Sequence, residues 1–153
     1  MAKKEEENKK TETENDEELE ENNEIKQVEK VWGREIWIHN DEKYCGKKLI
    51  LNKGKRCSLH YHKIKDETFY LESGRVLMQL LGEERIMNPG ECLEIPRGAE
   101  HRFSGLENSV IFEFSTKHFD EDSYRIDGEL SGDIPKEIIE KYKGDLWGQI
   151  WEK

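Results

Sequence analysis

The 153-residue chain is short of the features that mark several large protein classes. It holds three cysteines and three prolines, and hydrophobic residues make up only 33% of it. Cys45, Cys57 and Cys92 are odd in number, widely spaced and without a CxxC pair, so no disulfide framework is expected and a reducing, cytoplasmic home fits them. No run of about 18 apolar residues occurs, which argues against a membrane span. The first residues hold no apolar stretch of the secretory kind, and they are too acidic for a transit peptide. What the chain has in excess is charge, 39% of residues with a formal net of −10.

That charge is unevenly placed. Residues 1–24 contain 11 acids and 4 lysines and no aromatic residue, whereas residues 25–153 hold 24 acids against 21 bases. The first stretch cannot bury enough surface to offset its conformational entropy, so a disordered acidic tail is expected there, followed by one domain over 25–153. A nearly neutral domain gives no electrostatic reason to expect nucleic-acid binding.

From Val31 to Ser115 the chain reads as short β-like runs separated by turn residues. The runs are Glu35–His39, Leu49–Leu51, Cys57–His62, Thr68–Leu71, Val76–Leu81, Arg85–Met87, Cys92–Ile95, His101–Phe103 and Val110–Phe114. Such regular spacing, punctuated by glycine and proline, predicts an all-β sandwich or barrel with its core over about residues 31–116. Gly54, Gly74, Gly90 and Gly98 fall where the chain must turn sharply and are expected at positive φ. Residues 116–134 show no period and are expected to form a loop or a strand returning over the barrel. A short helix is expected over Pro135–Lys143, with Pro135 in its first turn and Gly144 as its cap. The aromatic end, Leu146 to Trp151, is expected to pack on the barrel or to offer a surface for a homodimer.

The chemistry-bearing residues sit on these runs. His60 and His62 share one face of a strand because side chains alternate. Glu67 opens the next run and His101 opens a later one. Three imidazoles and a carboxylate suit a divalent transition metal (Mn, Fe, Zn, Ni or Co) with positions left for water or substrate. A closed structural zinc site would more often use thiolates.

The spacing of these residues is that of a known family. Gly54, His60, His62, Glu67 and Gly74 fall at the fixed positions of the first cupin motif, and Gly90, Pro96, Gly98 and His101 at those of the second. The intervening Arg75–Pro89 is of the short kind usual there, and Gly105 replaces the customary asparagine. The chain therefore resembles the cupin superfamily, which implies a double-stranded β-helix of the jelly-roll kind with His60, His62, Glu67 and His101 as metal ligands. Val31-Trp32-Gly33 and Ser58–His62 also resemble type II mannose-6-phosphate isomerase cupins, with His60 where those commonly have glutamine. The stretch Thr116–Arg125 is similar to that of small sugar-isomerase-like cupins.

The resemblance implies a metal-dependent sugar or sugar-phosphate isomerase working through a metal-stabilised enediolate. Glu67, Lys48, Tyr70 and His118 are the candidate proton carriers, and Lys55, Arg56, Arg97 and Arg102 the candidate cations for a substrate phosphate. Glu67 is a candidate for either role, ligand or proton carrier. Two other functions remain open at this point: a small-molecule-binding or sensory cupin without catalysis, and a metal-dependent oxygenase.

Overall fold

A computed structural model describes residues 24–151, with side chains described to residue 143. The expected acidic tail lies outside the described residues but for Glu24, and the packing of the aromatic C-terminus lies outside the described side chains. Among the described residues thirteen strands, β1 (Lys26–Lys30), β2 (Gly33–Asn40), β3 (Cys45–Leu51), β4 (Lys55–Arg56), β5 (His60–Tyr61), β6 (Glu67–Ser73), β7 (Val76–Leu80), β8 (Glu83–Met87), β9 (Cys92–Ile95), β10 (His101–Gly105), β11 (Ser109–Ser115), β12 (Tyr124–Arg125) and β13 (Gly132–Asp133), precede one α-helix, α1 (Lys136–Trp151). The strands form two antiparallel sheets, ordered β1-β2-β3-β11-β6-β9 and β12-β5-β10-β4-β13, with the β7–β8 hairpin joined to β10. This is the all-β jelly-roll architecture expected.

Alternation along the strands decides which side chains enter the barrel. In β3 every odd position from Cys45 to Leu51 is buried, and in β6 so are Glu67, Phe69 and Leu71. The inward residues divide the interior in two. Leu49, Leu51, Phe69, Leu71, Met78 and Ile111 belong to a closed apolar cluster. Each such side chain contributes about 1.5–3 kcal/mol when fully buried. Farther along the same strands the inward positions are Lys47, Glu67, His101 and Glu113, all less than 5% exposed. Buried charges of that number are costly unless paired, so the apolar end stabilises a barrel whose other end is reserved for chemistry.

Several details depart from the sequence reading. Of the expected strand Cys57–His62 only His60–Tyr61 (β5) is strand, and β4 (Lys55–Arg56) precedes it. The pairings His60↔His101 and Arg56↔Ser104 differ in register by one residue, so a bulge separates them. Strand β1 was not visible because only Val28 in KQVEK is apolar. The helix does not stop at Gly144 but runs on to Trp151; each of its two interior glycines, Gly144 and Gly148, costs a helix only about 1 kcal/mol. All four flagged glycines do take positive φ, between 78° and 90°. At Gly74 space is limiting as well, since a Cβ there would lie 2.4 Å from the Asn108 carbonyl oxygen. Among the described residues no helix is long and apolar enough to cross a membrane.

Candidate metal and substrate site

The sheet that pairs β5 with β10 brings His60, His62 and His101 to one point. His60 pairs directly with His101 across β5 and β10, and His62 follows at the end of β5. One ring nitrogen from each lies within 4.8 Å of the others, and the His60–His101 ring centroids are 4.5 Å apart. The Nδ1 atoms are all occupied by backbone. His60 Nδ1 lies 2.7 Å from the Ser58 carbonyl, His62 Nδ1 2.9 Å from that of Asp122, and His101 Nδ1 2.9 Å from that of Ala99. A carbonyl only accepts, so each Nδ1 carries the proton and donates it. In the neutral ring each Nε2 is then left with a bare lone pair, the form a metal ligand needs. Burial, with His101 next in importance, pushes the His60 pKa down to about 3. Burial, with Lys65 next, pushes His62 down to about 4. Both rings are therefore neutral near pH 7.

Glu67 completes the test of fit. Its Oε1 lies 2.9 Å from His101 Nε2 and 3.5 Å from His62 Nε2. Both of its oxygens, and His101 Nε2, lack a hydrogen-bond partner among the described residues. Burial opposes ionisation of Glu67, but the Lys65 ammonium 3.0 Å from Oε2 outweighs it and holds the carboxyl well below the usual range. A carboxylate oxygen 2.9 Å from an imidazole nitrogen calls for a positive centre between them, a proton or a metal ion. The donor set therefore fits a divalent metal.

Beside this centre lies a cavity of about 880 Å³, lined by His60, His62 and a chain of buried ion pairs. Lys65 is its hub. Its Nζ hydrogen-bonds Glu113 Oε2 at 3.3 Å and His118 Nδ1 at 3.2 Å and forms an ion pair with Glu67 Oε2 at 3.0 Å. Burial raises the Glu113 pKa above the usual value, against the pull of Lys65. His118 donates from Nε2 to Asp120 Oδ1 at 2.9 Å, and burial followed by the charges of Lys47 and Lys65 lowers its pKa to about 4. Lys47 pairs with Glu35 at 3.4 Å and lies 4.2 Å over the Trp37 ring.

The structure brings together some of the expected residues and separates others. His118 lines the cavity with Glu67, His60 and His62, and His101 joins the last two in the three-histidine cluster. Lys48 and Tyr70 occupy the outward positions of β3 and β6 and do not line it. Nor do the four cations expected for a phosphate. Lys55 pairs with Asp133, and half-buried Arg56 lies near Arg102. Arg97 donates to the Ile64 carbonyl and pairs with Asp66 at 3.2 Å. Arg102 is buried with its guanidinium on the Cys57 carbonyl and Glu129, where it ties residues 129–130 to the barrel. Four cavity residues were missed: Lys47, Lys65, Glu113 and Glu35. The parity set by Leu49 and Leu51 would have selected Lys47 over Lys48, and a lone acid between Phe112 and Phe114 marks Glu113.

Comparisons with known proteins agree with the barrel. Residues 48–114 match the family model described as Cupin domain. A D-lyxose ketol-isomerase of Thermofilum sp. (strain ex4484_79) is 28% identical over 120 residues, covering 60% of this chain and 67% of the relative. The D-lyxose ketol-isomerase of Cohnella laeviribosi is 30% identical over 110 residues, covering 54% of this chain and 60% of the relative. The chain thus spans about three fifths to two thirds of these relatives' lengths. In shape the chain is similar to an RmlC-like cupin of Shewanella frigidimarina NCIMB 400, with a TM-score of 0.58 and 14% identity over 66% of this chain and 89% of that one.

Proposed function

Residues 48–114 are a cupin domain, and from that premise we propose that the protein is a metal-dependent aldose–ketose isomerase of an unphosphorylated sugar. The observation that carries the reading is the set of three imidazoles whose Nδ1 protons are held by backbone, so that their Nε2 lone pairs are free beside an ionised Glu67. The similarity to proteins named D-lyxose ketol-isomerases supports the reaction class.

His60, His62 and His101 would hold the metal, with Glu67 as the fourth ligand. When bound, the ion would supply Lewis-acid stabilisation for the negative charge of an enediolate. The protein must also move a proton between adjacent sugar carbons. Glu113 suits that task, because burial raises its pKa toward neutrality while Lys65 keeps an ionised form accessible. Glu67, pulled far the other way, stays a ligand. His118 is engaged at both ring nitrogens and serves to place Lys65 and Asp120.

The charges argue for a sugar without phosphate. Lys47 and Lys65, the deep cations of the cavity, are each committed to carboxylates. The four cations expected for a phosphate lie away from the cavity, and of the other cations on its lining Lys26 stands 4.6 Å over the Trp37 ring, with Lys30 and Arg125 also on the wall. Trp37 and Phe69 give the cavity apolar surface for the carbon face of a sugar ring.

The test is an assay of free and phosphorylated pentoses and hexoses, with metal added or chelated, in air and without oxygen. The reading predicts interconversion of a free aldose and its ketose that requires metal and ignores oxygen. Conversion confined to phosphorylated sugars would overturn the substrate class. Oxygen uptake, or inertness on every sugar with the metal site filled, would overturn the isomerase reading.

A further inference from the structure

The three imidazoles differ in what holds their Nδ1 protons. His60 and His101 each bond to a carbonyl two residues earlier in their own segment. His62 bonds instead to the carbonyl of Asp122, sixty residues away. Its ring is therefore oriented by the 3-10 turn Asp120–Asp122, which has to be fixed relative to residues 60–65.

The side chain of the same residue does the fixing. Asp122 Oδ1 accepts from the amides of Lys63 at 2.9 Å and Ile64 at 3.1 Å, and Oδ2 from those of Ile64 at 3.1 Å and Lys65 at 2.9 Å. Three successive amides around one carboxylate form a nest. Asp122 is only 3% exposed, so this carboxylate is a buried anion held by backbone. Residues 62–66 lie between β5 and β6 and belong to no strand, so the nest supplies the order that a ladder would otherwise give. Its last amide belongs to Lys65, whose ammonium stands between Glu67 and Glu113.

We infer that Asp122 is a positioning residue for the metal centre: its carboxylate clamps residues 63–65 while its carbonyl fixes the tautomer and ring orientation of His62. The inference rests on the reading of His60, His62 and His101 as metal ligands. A purely structural turn would make a different prediction, since it would affect folding and leave the ligand geometry unchanged.

The experiment titrates cobalt(II) into metal-free wild type, Asp122→Ala and Asp122→Asn, reading affinity and the visible d–d spectrum, with thermal melts by circular dichroism to establish folding. Loss of an outer partner of a ligand weakens metal binding by about 10- to 100-fold, and that loss is expected for Asp122→Ala together with a shifted d–d band. Asp122→Asn is expected to fall in between, because it keeps one acceptor oxygen but turns an NH2 group toward an amide. A folded Asp122→Ala with wild-type affinity and spectrum would overturn the inference. Should Asp122→Ala fail to fold, Asp122→Asn carries the comparison, and wild-type binding by that folded variant would overturn it equally. Wild type that binds no cobalt would overturn the metal reading itself, and this inference with it.

Discussion

His118 shows how one buried side chain ties the site to pH. Its folded pKa, about 4, lies below its ordinary value of 6.5 because of burial and two nearby lysines. Between those values the unfolded chain takes up a proton that the folded chain refuses, so stability falls as pH drops from about 6.5 to 4. His118→Gln removes this contribution. At equal metal saturation, its Tm should fall less than that of wild type across the window, by the equivalent of about 1–3 kcal/mol. Parallel Tm curves for the two proteins would contradict the assignment. At Glu113 the expectation concerns rate. Glu113→Gln should lower kcat by about a hundredfold or more while cobalt affinity stays near that of wild type. A fall in affinity with kcat preserved would make Glu113 a support of the metal and not the proton carrier. Such residues were only partly legible. His60, His62, Glu67 and His101 stand out because motif spacing and strand period select the same positions. Lys65 does not, because it lies in an irregular segment where no period says which way a side chain points.

Among the elements, β3 separates two adjacent lysines. Lys47 is 1% exposed and faces Glu35 and Trp37, whereas Lys48 lies on the outer face opposite Phe112. Lys47→Met should therefore depress turnover. Lys48→Ala should change stability by no more than about 0.5 kcal/mol and leave the kinetics alone. The reverse pattern would show that the parity of β3 is misassigned. Turns allow a similar contrast. Gly74 and Gly90 share a φ of 90°, but only at Gly74 would a Cβ meet backbone within van der Waals distance. Gly90→Ala should cost about 1–2 kcal/mol from the left-handed backbone alone, and Gly74→Ala more, as read by urea denaturation. The longer strands were legible from alternation, and the turns from glycine. β1 was not, and β12 and β13 were legible only as part of a stretch, 116–134, expected to be a loop or a returning strand. They are short or polar, and partner strands hold them in place with little pattern of their own.

At the scale of the molecule the six-stranded sheet has unusual polarity. Ile36, Ile50, Phe112 and Phe114 take its outer positions while Glu35, Lys47, Glu67 and Glu113 face inward. A sheet selected for stability alone would be arranged the other way, since each buried ion pair carries a desolvation cost. The inversion fits a barrel that keeps a polar reaction chamber at one end and an apolar cluster at the other. It also explains why function was easier to read in outline than in detail. The motif histidines were visible, but the Lys–Glu chain that surrounds them resembles ordinary surface charge until the strands are folded. The measurement that tests the central claim most directly is the metal content of protein purified without a histidine tag, by mass spectrometry, for wild type and the His60→Ala/His101→Ala double variant. The account predicts a single divalent ion per chain in wild type and its loss in the folded double variant. Stoichiometric metal retained by that variant would contradict it.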